Sequence, residues 1–245
     1  MGSVRVAVIG VGNCAAALVQ GVEYYRQAPD DGFVPGLMRP RIGQYHVGDI
    51  EFSAAFDIDA RKVGLDLSEA ITAAPNNTVQ FASVPSLGVA VQRGMTHDGL
   101  GHYLSQVISK ASGATADIAN ILRETRTDIV VNFLPVGSEM ATKWYVEQVL
   151  EAGCGFVNCI PVFIAREAYW RHRFEERGLP VVGVTLEMSG PEEHDCQFVA
   201  EAIFLASPIL RASGKRVALA GPTGRETLVG LRLWLEQKGA PPRLA

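Results

Sequence analysis

An apolar run at Val4–Ile9 (VRVAVI) leads straight into Gly10–Val11–Gly12–Asn13–Cys14–Ala15, and this junction limits the possible folds more than any other feature of the chain. Only Arg5 interrupts the run, which marks a parallel strand covered on both faces. The G-x-G-x-x-A spacing has a physical purpose at each position. Gly10 permits a sharp turn, Gly12 keeps a Cβ out of the path of an approaching anion, and Ala15 lets a helix pack close to the strand. Ala15, Leu18, Val19 and Val22 recur at helical spacing, with Asn13 as the expected cap. The first N–H groups of such a helix lack partners within it, so strand, glycine turn and helix together make an anion-binding corner. The plain alternative is a turn with no ligand.

The rest of the chain alternates between the two element types. Residues 28–49, rich in Pro, Gly and charge, read as an excursion outside the core. Residues 51–56 read as a strand ending at Asp57, and 61–74 as a helix. Asn76–Asn77–Thr78 opens a third extended piece, and 92–102 is a glycine-bearing loop. Helix 115–125, strand 129–134, helix 139–151, strand 155–158, helix 165–176 and strand 180–184 follow. A helix over 197–205, a strand over 216–220 and a helix over 228–235 close the chain. The pattern predicts an α/β fold with a Rossmann-like, doubly wound and mostly parallel sheet. Residues 1–183 would form a dinucleotide-binding domain, which 184–245 completes.

Asp57 strengthens the dinucleotide reading. A carboxylate closing the second strand can accept hydrogen bonds from a ribose 2′-OH, although the excursion sets it further than the usual ~20 residues from the glycines. An acid there disfavours a 2′-phosphate, so NAD is expected over NADP; Arg61 and Lys62 nearby moderate that preference. The alternative for Asp57 is a solvated acid in an FDID turn.

Composition excludes other classes. The formal net charge of −4 argues against nonspecific nucleic-acid binding, which needs a basic face. No apolar run nears the ~20 residues that cross a bilayer, so no membrane partner is expected. The opening residues carry no targeting pattern, which suggests a cytoplasmic protein. Cysteines 14, 154, 159 and 196 fit no zinc spacing, so no metal centre is expected, and Cys14 and Cys159 read as small buried hydrophobes. His194–Asp195–Cys196 are adjacent residues whose side chains diverge, a poor metal cluster. The turn at 221–227 lacks the G-K-[ST] of a P-loop; it reads as a helix start capped by Thr223, with Arg225 and the turn's amides as an alternative sugar-phosphate contact. Trp144, Trp170 and Trp234 lie on apolar helical faces and read as core.

Several longer motifs then carry a resemblance. In order they are GVGNCAAALVQGVEYY, VPGLM, YHVGDIEFSAAFDIDARKVG, NNT, LPVGSE and FVNCIPVFIA. Together they resemble myo-inositol-phosphate synthase of the short prokaryotic type, from about Val4 to Gly183. The resemblance implies bound NAD that oxidises glucose 6-phosphate and later returns the hydride, with enolisation and aldol ring closure between. It implies cofactor contacts at Gly10, Gly12, Asn13, Cys14, Asp57, Asn76, Asn77, Thr78, Asp98 and Gly99. It also places Pro135 through Ser138 over the cofactor, with Asn158 and Pro161 at the next strand end. Without it, Asn76–Asn77–Thr78 reads as a turn.

The resemblance stops after Gly183. The family continues there into a Gly-Asp-Asp and Lys-Ser motif and a long insertion bearing the substrate pocket, catalytic lysines and oligomerising sheet. Here Val184–Thr185–Leu186–Glu187 follow, and 184–206 is similar to the segment that returns after that insertion. The five lysines, Lys62, Lys110, Lys143, Lys215 and Lys238, match none of the family's catalytic positions. Arginine cannot replace them as a proton shuttle. Two expectations follow: a sugar-phosphate isomerase, or an NAD-binding sensor or partner subunit without turnover. A homo-oligomer, as a dimer through the nucleotide-binding half or the tail, is compatible with either.

Overall fold

The computed structural model of the chain describes residues 2–31, 33–37 and 39–183, and the backbone of 218–220. In chain order, β1 (Val4–Ile9) and α1 (Asn13–Tyr24) form the first unit. A small antiparallel pair, β2 (Arg41–Ile42) and β3 (Tyr45–His46), leads through a single 3₁₀ turn to β4 (Ile50–Asp57). Then come α2 (Leu67–Ala70), β5 (Val91–Arg93), α3 (Leu104–Val107) and α4 (Ile118–Glu124). The last elements are β6 (Ile129–Asn132), α5 (Glu139–Ala152), β7 (Gly155–Asn158), α6 (Ala168–Arg177), β8 (Val181–Gly183) and β9 (Ala218–Ala220).

Seven strands form the main sheet in the order β5-β4-β1-β6-β7-β8-β9, and every neighbouring pair is parallel. The strand order therefore reverses between β1 and β6. In an open α/β sheet, that switch point is where ligands enter, at the carboxyl ends of the strands.

Two cores cover the faces. Val4, Val6 and Val8 of β1 pack with Leu18, Val19 and Val22 of α1 on one side. Ala7 and Ile9 face Leu122 of α4, Val146 and Val149 of α5, and Phe174 of α6 on the other. Alternate residues of one strand thus go to opposite cores, which explains why β1 reads as a continuous apolar run. Each large aliphatic buried this way contributes about 1.5–3 kcal/mol.

Three regions differ from the sequence expectation. The 28–49 excursion is part of the core: Leu37, Tyr45 and Val47 are buried with α1. His46 fastens it, Nδ1 accepting from Gly48 N–H at 2.9 Å and Nε2 donating to Ala28 O at 2.9 Å. Its polar, turn-rich composition conceals a few apolar anchors.

The helix expected over 61–74 is a series of turns followed by the four-residue α2. Gly64 sits at φ +91°, which ends any right-handed helix. Asp66 then starts a new one by accepting from Ser68 N–H. No strand begins at Asn76–Asn77–Thr78; the next strand is β5 at Val91. β5 and α3 were also not expected, 92–102 having read as a loop; elsewhere the elements match with ends shifted by a few residues.

Trp170 is buried and Trp144 packs against the core. Cys154 and Cys159 are buried, but Cys14 is exposed, because the first turn of α1 faces outward where Ala15 and Ala16 face in. No described helix is long and apolar enough to cross a membrane. The helices expected over 197–205 and 228–235, His194–Asp195–Cys196, the turn at 221–227 and Trp234 lie outside the described residues. Of the strand expected over 216–220, Ala218–Ala220 pairs in parallel with β8.

Candidate functional site

The corner after β1 depends on two glycines with different duties. Gly10 has φ +84°, and a Cβ there would lie 2.8 Å from Phe133 O. Its N–H donates to Phe56 O at 2.8 Å, so it joins β1 to β4 while crowding the chain that leaves β6. Gly12 is the N-cap of α1, in extended backbone at φ −93°, and a Cβ added there would meet nothing within 4 Å. The space above it is open.

Gly12 has no side chain with which to cap α1, and no acidic residue lies in its first turn. Asn13, the expected cap, is used differently. Its Nδ2 donates to Asn77 Oδ1 at 2.6 Å, while its Oδ1 accepts from Asn77 N–H at 2.9 Å and from the Thr78 hydroxyl at 3.0 Å. Asn13, Asn77 and Thr78 therefore fasten the 76–78 turn to the start of α1. A helix N-terminus beside the open space at Gly12, with no Cβ to fill it, fits a diphosphate.

The Val11 peptide is gripped on both sides. Asp57 Oδ2 accepts its N–H at 2.7 Å. Its carbonyl accepts from Lys62 Nζ at 2.7 Å and from Asn76 Nδ2 at 3.1 Å. Asp57 Oδ1 accepts from Ile58 and Asp59 N–H at 2.7 and 2.9 Å. Asp57 is thus a clamp on the glycine turn before it is anything else. Of about four lone-pair positions on a carboxylate, three are taken, leaving one for a sugar hydroxyl.

The two cations after Asp57 are also engaged. Arg61 holds the fully buried Asp59 through Nε at 3.0 Å and Nη2 at 2.6 Å. Lys62 is 3% exposed; burial pushes its ammonium below the usual lysine range, opposed by the charges of Asp57 and Asp59. Neither is placed as a free cation beside Asp57.

A second group gathers where α5 begins. Asp98 accepts from Met140 and Ala141 N–H at 2.7 and 2.9 Å. Burial works against its charge, but these amides hold its carboxyl below the usual range. Asp98 therefore occupies the α5 N-terminus, whereas the N-cap of α1 is a glycine with open space above it. Gly99, at φ +89°, is pressed against Ser138: a Cβ there would lie 1.8 Å from Ser138 Oγ. That hydroxyl is buried with no hydrogen-bond partner among the described residues. Pro135 is half-buried in the same loop.

Asn158 is buried at the end of β7. It accepts from Asn132 Nδ2 at 2.8 Å and donates to Ile160 O at 3.0 Å and Val162 O at 2.6 Å. It shapes the loop that leaves exposed Pro161 at the surface.

The expected residues thus fall into two clusters at the carboxyl ends of β1, β4, β6 and β7. Sequence reasoning missed the Lys62–Asn76 grip and Asn132. Asn132 is an amide inside an otherwise apolar strand, and that oddity is a signal that could have found it.

A wholly parallel sheet of this order, with its glycine turn after the central strand and an acid closing the neighbouring one, defines a Rossmann-type α/β protein. No family model matches the chain. An inositol-3-phosphate synthase of Mycolicibacterium smegmatis is 52% identical over 182 residues, 74% of this chain and 50% of the relative. One from Corynebacterium glutamicum is 50% identical over 181 residues, again 74% and 50%. Over that shared part, the chain is homologous to inositol-3-phosphate synthases. It spans about half the length of the curated relatives it matches.

Two solved structures agree on the fold. The protein Ari2 is 33% identical with a TM-score of 0.64, covering 86% of this chain and 59% of its own. A myo-inositol-1-phosphate synthase-related protein from Thermotoga maritima is 18% identical with a TM-score of 0.55, covering 73% and 53%.

Proposed function

We propose that the chain binds NAD at the corner between β1 and α1 and serves a redox-neutral isomerisation of a sugar phosphate, glucose 6-phosphate to inositol phosphate. The observation that carries this reading is the open space at Gly12, where a Cβ would meet nothing within 4 Å, at the N-terminus of α1. Gly12 and the first turn of α1 would hold the diphosphate. The remaining lone pair of Asp57 would take an adenosine ribose hydroxyl. With Arg61 committed to Asp59 and Lys62 to the Val11 carbonyl, neither of the cations that follow Asp57 is left for a 2′-phosphate, which favours NAD over NADP. Bound there, NAD would supply a reversible hydride acceptor.

Pro135 through Ser138 would cover the cofactor from the β6 side, with Asn132 and Asn158 fixing the loops beneath. Residues 1–183 together with the strand at 218–220 would act as one nucleotide-binding domain.

One observation favours a second reading, an NAD-binding sensor or partner subunit. Moving protons on a sugar phosphate needs a titrating group and fixed cations at the reacting carbons. Of the lysines among the described residues, Lys62 is buried behind the turn, Lys143 is paired with Glu139 at 2.6 Å, and Lys110 is exposed beside α3; Lys215 and Lys238 lie outside them.

Incubating the protein with NAD and glucose 6-phosphate, read by phosphorus NMR, separates the two. Formation of inositol phosphate supports the enzyme. NAD-dependent stabilisation without turnover, across a panel of hexose and pentose phosphates, supports the binding module.

A further inference from the structure

Lys62 is an expensive residue to place where it is. An ammonium removed from water costs several kcal/mol in general, and an apolar side chain would fill the same volume. Its Nζ reaches Val11 O at 2.7 Å and Asn76 Oδ1 at 2.9 Å. Asn76 repeats the contact, donating from Nδ2 to the same carbonyl at 3.1 Å and to Ile71 O at 2.9 Å.

The Val11 carbonyl and the Gly12 N–H belong to one peptide group. That peptide is trans, since the described cis bond is Ala74–Pro75. In a trans peptide the C=O and N–H point in opposite directions. Drawing the Val11 carbonyl inward onto a buried ammonium therefore turns the Gly12 N–H outward. That N–H has no acceptor among the described residues. A charge on the carbonyl also polarises the peptide, making its N–H a stronger donor. On the other side of Val11, Asp57 holds the preceding peptide by its N–H at 2.7 Å. Between them, Asp57 and Lys62 remove the rotational freedom of the turn.

We infer that Lys62 is a positioning residue for the cofactor diphosphate: seated behind the glycine turn, it aims and polarises the Gly12 N–H without touching the ligand. This rests on the NAD reading above and adds to it a residue that acts from the protein side. It also explains why a lysine follows the ribose-binding acid in a protein that excludes a 2′-phosphate.

The test compares a ligand carrying the diphosphate with one that lacks it. Wild type and Lys62→Met are titrated with NAD by calorimetry and with adenosine by ligand-observed NMR, after circular dichroism has established the fold of each. NAD affinity is expected to fall about 10- to 100-fold, the worth of a hydrogen bond to a charged group, with adenosine affinity held within about twofold. A merely structural role would loosen the whole corner and weaken both ligands together. Equal losses for NAD and adenosine, or an unchanged NAD affinity in folded Lys62→Met, overturn the inference.

If Lys62→Met does not fold, Lys62→Gln carries the same test, since it removes the charge on the Val11 carbonyl while keeping a polar side chain among the same hydrogen-bonding partners. A selective loss of NAD supports the inference, and no loss or an equal one overturns it. Failure of the wild type itself to bind NAD would instead overturn the functional reading on which the inference stands.

Discussion

At the scale of single residues, the two turn glycines separate folding from binding. Gly10→Ala puts a Cβ against Phe133 O in a left-handed backbone, so it should destabilise the protein by about 1–3 kcal/mol in urea unfolding. Gly12→Ala meets only open space in an ordinary extended conformation, so it should cost less than about 1 kcal/mol. Yet it should weaken NAD at least about tenfold, because its methyl group enters the diphosphate path. Equal effects of the two substitutions on stability would contradict the assigned duties. The turn at Gly10 and Gly12 and the strand end at Asp57 were legible from local pattern, but the grip of Asp57 on the Val11 N–H, 46 residues away in sequence, was not. Lys62 was legible only as a nearby charge; its partner, Val11 O, lies 51 residues away in sequence. Asp98 was placed at the site by resemblance, and the structure adds that it caps α5.

Among the elements, the segment between β4 and β5 was the least legible. Its apolar residues have helical spacing, but Gly64 and Asp66 divide it, and a left-handed glycine outweighs periodicity. Asp66 holds the segment together, accepting from Ser68, Leu87 and Val89 N–H and from the Ser68 and Ser86 hydroxyls. Burial opposes its charge, but these bonds lower its carboxyl from 3.8 to about 2.

A carboxylate whose pKa falls on folding adds stability above its unfolded value and loses it as pH drops through the folded one. Wild type should therefore lose stability between pH 3.8 and about 2 partly through this group. Asp66→Asn should be less stable by about 1–2 kcal/mol at neutral pH, with a flatter acid limb, as read by urea midpoints across that range. An acid limb identical to wild type would refute that assignment.

Where α5 begins, Gly99→Ala drives a methyl into Ser138 and should cost about 1–3 kcal/mol in the same assay.

For the molecule as a whole, β1, β6, β7 and β8 were legible because strands buried on both faces read as apolar runs, whereas β5 was missed because three residues, Val91–Arg93, at the border of a glycine-bearing loop carry no pattern of their own. The hairpin at β2–β3 was hidden, since a few anchors such as Tyr45 do not make a periodic pattern. Asn132 and Asn158, buried on adjacent strands, were legible only in part because their hydrogen bond crosses 26 residues of chain. The central claim is that this sheet presents its first glycine corner to NAD, and calorimetric titration of the purified chain tests it most directly. NAD should bind saturably at one site per chain and, at a hundredfold excess over Kd, stabilise the fold by about 2.7 kcal/mol, with NADP far weaker. No binding heat and no shift in melting temperature with folded protein at saturating NAD would contradict the account.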